Sequence, residues 1–352
     1  MSMTPARTLS DAELTELADW LDGALPPHSG PLTIAPYPQQ AGNSHLVFRV
    51  RTSSHVWAMR VAPLRDSSGG YDLSREFSVL QGLSGSPVPH PSPVLCAASP
   101  GCPIDRDLLV CDWVHGHTLV GPLPAAITNP GSGEKLAWSL VETLADIHDT
   151  AVTAPVLDRP RASAAEFLDR QFEKGRAMLD HHSVRDVDHL TRLLATLSDH
   201  RPARWHCGLM HGDYSAMNVM IHDERTPTVS CVLDWETATV GATMVDLGYL
   251  SARWATADMD PLLAAFALGA GDPDSLRALP PRDFIDDAYQ AITGRSCRDL
   301  PFFQGLGMAR LALAVEVRVA RAHRQGQHDR AQGFARLVDT VVAHGLRLTD
   351  AG

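Results

Sequence analysis

Lysine is nearly missing from this chain. Of its 30 basic residues only Lys135 and Lys174 are lysines, so almost all the cationic charge is arginine. The balance is acidic, with a net charge of −11. A chain of that sign lacks the broad basic face that a nucleic-acid backbone requires. No run reaches about 18 unbroken apolar residues, so neither a transmembrane helix nor a membrane partner is expected. Met1 to Arg7 lead into the acidic segment Asp11 to Asp22 with no apolar stretch of signal-peptide type, and the chain reads as cytoplasmic. The six cysteines (Cys96, Cys102, Cys111, Cys207, Cys231, Cys297) contain no Cys-x-x-Cys pair and read as free thiols. The 17 histidines contain no His-Glu-x-x-His, which removes the usual zinc-hydrolase pattern.

What is present is enough for two units, each with a core: 352 residues, 44% of them hydrophobic. Ser10-Asp11-Ala12-Glu13 has the form of a capping box, followed by the helical stripe Leu14, Leu17, Ala18 and Leu21. Strand signals follow over 32–35, 44–51 and 55–61, with Thr52-Ser53-Ser54 as a hairpin tip. A helix is expected over 71–83, since Leu73, Phe77 and Leu80 recur at helical spacing, and then a strand over 108–113. This is an α+β unit, placed at 1–113. The remainder, 114–352, reads as mostly helical, with helices over 135–149, 164–179, 186–197, 244–256, 281–292, 301–324 and 328–345.

The densest chemical signal lies between Met210 and Leu250: His211-Gly212-Asp213, Asn218, Leu233-Asp234-Trp235-Glu236 and Asp246-Leu247. An Asp and an Asn five residues apart, followed by an Asp after a hydrophobic run, form the set that phosphoryl transfer from ATP requires. One carboxylate receives the proton of an attacking hydroxyl, while an amide and a second carboxylate hold Mg²⁺. Residues 229–233 read as a short buried strand delivering Asp234, and 219–221 as its partner after Asn218.

In these motifs the chain resembles the aminoglycoside phosphotransferase and choline kinase superfamily, which shares the two-lobed protein-kinase-like fold. It is most similar to the branch of phosphotransferase domains associated with acyl-CoA dehydrogenases. Arg75-Glu76-Phe77, Pro87-Val88-Pro89, Val114-His115-Gly116, Leu144-Ala145-Asp146-Ile147-His148 and Ala309-Arg310-Leu311-Ala312 follow the family's order. The resemblance implies a small-molecule kinase in which Asp213 is the base, Asn218 and Asp234 bind Mg²⁺, and Glu236 touches a second Mg²⁺. His211 and Asp246 would support the catalytic loop. Gly42, Asn43 and Ser44 would cradle phosphates, and Cys111, Asp112 and Trp113 would receive adenine. The lysine that kinases carry on the third strand is replaced by Arg60, with Glu76 as its partner. The acceptor would be a hydroxyl on a small molecule, a hydroxyacyl compound or its CoA thioester, with an aminoglycoside or macrolide antibiotic as the alternative. Arg310, Arg318, Arg321 and Arg324 offer cations to an anionic acceptor or, as such helix faces usually do, simply face solvent. A nucleotide-binding pseudokinase with a regulatory role is a reading of a different class, prompted by the missing lysine.

Overall fold

The computed structural model describes residues 9–37, 45–62, 73–98, 101–119, 123–124, 127–151, 157, 164–222, 227–256, 259–264, 267–268 and 272–350. Within these, the chain divides into two compact units. The first contains the described residues up to His115, together with Leu157 and Cys231–Thr237. The second contains the rest.

In the first unit, α1 (Asp11–Ala24) begins at the expected capping box. Ser10 Oγ accepts the Glu13 amide at 3.3 Å and Glu13 Oε2 accepts the Ser10 amide at 2.8 Å, so two otherwise orphaned donors are satisfied reciprocally. The strands β1 (Thr33–Pro36), β2 (Leu46–Arg51) and β3 (Val56–Val61) precede α2 (Leu73–Leu83), then β4 (Pro93–Ala97) and β5 (Leu108–Asp112). They make one antiparallel sheet in the order β1-β2-β3-β5-β4. Period-2 alternation sorts β3 between its faces: Trp57, Met59 and Val61 enter a core with Leu17, Leu21, Phe48 and Val50. Arg60 therefore projects from the other face, and α2 buries Glu76, which is 2% exposed.

The second unit holds β6 (His117–Thr118), α3 (Ser132–Asp149), α4 (Ala164–His182), α5 (Asp188–Asp199), β7 (Cys207–Met210), β8 (Val219–Ile221) and the start of β9 (Val229–Val232), which continues into the first unit. Next come β10 (Thr239–Ala242), α6 (Met244–Ala252), the short α7 (Pro261–Ala264) and α8 (Pro273–Ala278), α9 (Asp283–Thr293), α10 (Leu300–Arg324) and α11 (His328–Asp350). β6, β8 and β9 pair in that order, and β7 pairs antiparallel with β10. The expected helix over 244–256 stops at Ala252, where the Arg253 amide turns back to the Leu250 carbonyl.

The core helix is α10, whose Phe303, Leu306, Met308, Ala309 and Ala312 are buried. By length and composition it is also apolar enough to cross a membrane, and 72% of its most apolar window is buried inside the protein. Counting unbroken apolar runs passes over this helix because Arg310, Glu316 and Arg318 interrupt it. The fold is α+β, as the pattern of elements predicts.

Candidate active site

The loop from His211 to Asn218 leaves β7 and closes in a 3-10 turn, Ala216–Asn218, that feeds β8. Its entry is fixed from below by Asp246 on α6, which is fully buried and takes two backbone amides. Its Oδ2 accepts from His211 at 2.6 Å and its Oδ1 from Gly212 at 2.8 Å. Burial works against the Asp246 charge. The neighbouring His148 and His211, with the Gly212 amide, outweigh it and hold the carboxyl below its usual range. His148 Nε2 lies 3.7 Å from Asp246, an electrostatic contact too long for a hydrogen bond. Burial lowers the His148 pKa, and its Nδ1 is bonded to the Tyr289 hydroxyl at 2.7 Å.

Gly212 has φ +85°, a left-handed conformation that a side chain would strain, and this turns the chain so that Asp213 follows. His211 is buried, and its Nδ1 accepts the Asp213 amide at 3.2 Å. Tyr214 ties the loop to α3 by donating to the Leu140 carbonyl at 2.8 Å. Arg310, read from the sequence as a cation for an anionic acceptor, donates instead to the Gly212 carbonyl at 3.0 Å. Asn218 Nδ2 donates to Asp213 twice, to Oδ2 at 2.8 Å and to the backbone carbonyl at 2.9 Å. Two acceptors on one residue fix which end of the amide is nitrogen, so Asn218 Oδ1 is presented as a donor atom for a cation.

The first unit gathers a second cluster around Arg60. One terminal nitrogen, Nη1, donates to both Glu76 oxygens at 2.5 and 2.7 Å. The other, Nη2, donates to Asp234 Oδ1 at 3.1 Å and to His45 Nδ1 at 2.9 Å. Burial disfavours the Arg60 charge, but Glu76 and Asp234 more than compensate, and its pKa is raised. Burial pushes the Glu76 carboxyl up while Arg60 pulls against it. Both Glu76 oxygens accepting from one guanidinium nitrogen is the geometry of an ion pair. Glu76 Oε1 also accepts the Trp235 amide at 3.3 Å, joining α2 to the Asp234 segment. Asp234 has φ +68°, the one positive φ at a non-glycine among the described residues. Such strain persists only where surrounding contacts over-determine it, and it is common at functional sites. Glu236 lies close enough for its charge to act on Arg60.

Other expectations fare differently. Gly42, Asn43 and Ser44 lie outside the described residues. The amides of Asp112 and Trp113 already donate, to the carbonyls of Ser92 at 2.9 Å and Val56 at 3.2 Å. The N–H groups of these two residues are therefore engaged within the first unit. Trp113 is also covered by Arg49, whose guanidinium carbon is 4.3 Å from the ring centre. Burial pushes the Cys111 and Cys231 thiols up to about 12, so both are inert. His45 was absent from the sequence-based set, although it directly follows Gly42-Asn43-Ser44. His148, also missed as a site residue, lies in the Leu-Ala-Asp-Ile-His run that carries the resemblance.

Asp234 and Glu236 in the first unit, and Asn218 in the second, each carry a side-chain oxygen of the type Mg²⁺ prefers. Among the described residues no three His, Cys, Asp or Glu side chains converge as a metal cage.

A family profile described as "Phosphotransferase enzyme family" matches residues 38–279. Acyl-CoA dehydrogenase family member 10 of Mus musculus is 24% identical over 74% of this chain and 24% of its own length. Acyl-CoA dehydrogenase family member 11 of Rattus norvegicus is 27% identical over 68% of this chain and 31% of its own. The chain thus spans less than a third of the length of these curated relatives. A solved structure from Ralstonia eutropha JMP134, described as an aminoglycoside phosphotransferase, superimposes with a TM-score of 0.72. It is 22% identical, over 96% of this chain and 98% of the other. The fold is thus that of the kinase-like phosphotransferases.

Proposed function

Because the chain belongs to the phosphotransferase enzyme family, we propose that it moves the γ-phosphoryl group of ATP to a hydroxyl of a small molecule. The observation that carries this reading is the Arg60–Glu76 pair. It supplies the cation and buried carboxylate that a kinase needs, although the lysine is gone. That pairing supports an enzyme over a pseudokinase. Solved neighbours of this fold hold ADP with spectinomycin, or AMP-PNP with hygromycin B, which supports a nucleotide and a small acceptor.

In this reading Asp213 accepts the acceptor's hydroxyl proton as the new O–P bond forms and the bond to the β-phosphate oxygen breaks, releasing ADP. Asn218 orients Asp213 through its amide nitrogen and would offer Oδ1, with Asp234, to Mg²⁺, and Glu236 would meet a second Mg²⁺. When bound, the ion neutralises charge on the phosphate oxygens. Arg60 grips phosphate oxygens while Glu76 fixes it. Asp246 keeps the loop amides, and hence Asp213, in register. The hydroxyacyl or CoA-thioester acceptor rests on the relationship to the acyl-CoA dehydrogenase proteins.

The test is ATP turnover against hydroxyacyl acids, their CoA thioesters, aminoglycosides, macrolides and amino alcohols, with the phosphorylated product identified by mass. Acceptor-dependent ADP release with a phosphorylated hydroxyacyl product is expected. Phosphorylation of the antibiotics alone would replace the acceptor assignment. Nucleotide binding without transfer to any acceptor would sink the enzyme reading.

A further inference from the structure

Arg60 is held at three points, and the three partners differ in charge. Glu76 and Asp234 are carboxylates; His45 is not. His45 is 7% exposed and precedes β2 directly. Its pKa is lowered to about 4, first by burial and then by the adjacent Arg60 charge, so it is a neutral imidazole at neutral pH. Guanidinium nitrogen can only donate, so His45 Nδ1 is the acceptor and the ring proton sits on Nε2.

The two N–H bonds of Nη2 are divided between His45 Nδ1 and Asp234 Oδ1. If Asp234 is to take a metal ion, it gives up charge density that now serves Arg60. Glu76 alone then grips Nη1, and a guanidinium held at one nitrogen can swing about that contact. A second acceptor on Nη2 prevents the swing. A carboxylate in that place would add a further negative charge to those of Glu76, Asp234 and Glu236 and repel the incoming phosphates. A neutral acceptor fixes the plane without that penalty.

We propose that His45 is a positioning residue for nucleotide phosphates, holding the Arg60 guanidinium in its gripping plane through an uncharged acceptor when Asp234 turns to metal. This rests on the phosphotransferase reading above, and it concerns a residue that the lysine of other kinases would use differently. A lysine ammonium has no plane to be held.

The experiment is a double-mutant cycle on Mg-ATP binding by calorimetry, with kcat and KM for ATP in parallel. His45→Ala is expected to weaken Mg-ATP binding by about tenfold in the wild-type background and by less than about twofold in Arg60→Ala. His45→Asn and His45→Gln keep a neutral acceptor and should recover much of the loss. His45→Asp should bind Mg-ATP more weakly than either amide, because it adds charge. Equal losses from His45→Ala in both backgrounds would show an effect that does not pass through Arg60 and would overturn the proposal. So would His45→Asp binding as well as His45→Asn. Should His45→Ala fail to fold, the Asn and Asp pair decides by itself. Wild-type protein that binds no Mg-ATP at all would count against the phosphotransferase reading instead.

Discussion

At the scale of single residues, the two acidic groups assigned to chemistry should fail in different ways. Asp213→Ala removes a group that acts only as the acceptor's proton leaves. It should retain Mg-ATP binding and lose transfer by on the order of 10²-fold or more. Asp234→Asn removes a charged oxygen from the metal and one partner of Arg60, so it should weaken Mg²⁺-dependent nucleotide binding as well as turnover. Asparagine is the right replacement because it tolerates φ +68° nearly as well as aspartate, whereas alanine would confound charge with backbone strain. Calorimetry with and without Mg²⁺, beside a turnover assay, separates the two. Unchanged Mg²⁺ dependence in Asp234→Asn would remove Asp234 from the metal site. The candidate residues stand out in the sequence by spacing: the Asp213-to-Asn218 interval, and an Asp after a buried strand. His45 was not legible, since its role depends on a guanidinium contributed from a different strand, and no short-range pattern announces that.

At the scale of elements, long periodic helices and the hairpin of β2 and β3 could be read from the chain, while β4, β7 and β10 could not. β4 opens on Pro93, a residue that normally marks the end of a ladder. β7 and β10 are four residues each, and their glycines stand opposite one another, Gly241 against Gly208. A strand of Cys-Gly-Leu-Met has no alternation to detect, and glycine there reads as a loop. The structure supplies the reason for it. A Cβ on Gly208 would meet the His148 carbonyl oxygen at 2.4 Å, because β7 runs hard against the end of α3. Gly208→Ala should therefore destabilise the protein by about 1–3 kcal/mol and disturb the loop that β7 feeds. Gly333, in α11 with open space around it, is the control. Gly333→Ala should stabilise by about 0.5–1 kcal/mol through helix propensity. Thermal melts of the two variants test this, and similar shifts in the same direction would contradict it.

At the scale of the whole molecule, one buried and one half-buried carboxylate pull the pH dependence of stability in opposite directions. Asp246 has a lowered pKa, so its contribution is present above the unfolded-state value and is lost as pH falls through the folded one. Asp286, on α9, is raised to about 6 by burial, although Ser251 donates to it at 2.9 Å. Its folded state binds the extra proton, so its contribution is complete below the unfolded value near 3.8 and fades as pH rises through about 6. Asp286→Asn keeps an acceptor for Ser251 and cannot ionise. It should raise stability at pH 8 by on the order of 2 kcal/mol and change little at pH 4, as denaturant melts at the two values would show. An equal change at both would assign the effect to packing.

The first unit is not finished where its main stretch ends. It takes back Cys231–Thr237, which carries Asp234 and the Trp235 amide that Glu76 accepts. A ribosome delivers these residues only after the whole span from β6 to β8 has emerged, roughly ten seconds of synthesis after His115. For that interval Arg60 and Glu76 lack Asp234, although all five strands of the first unit's sheet have already been made. The arginine proposed to grip phosphate is thus made early, and one of the carboxylates that contacts it arrives late.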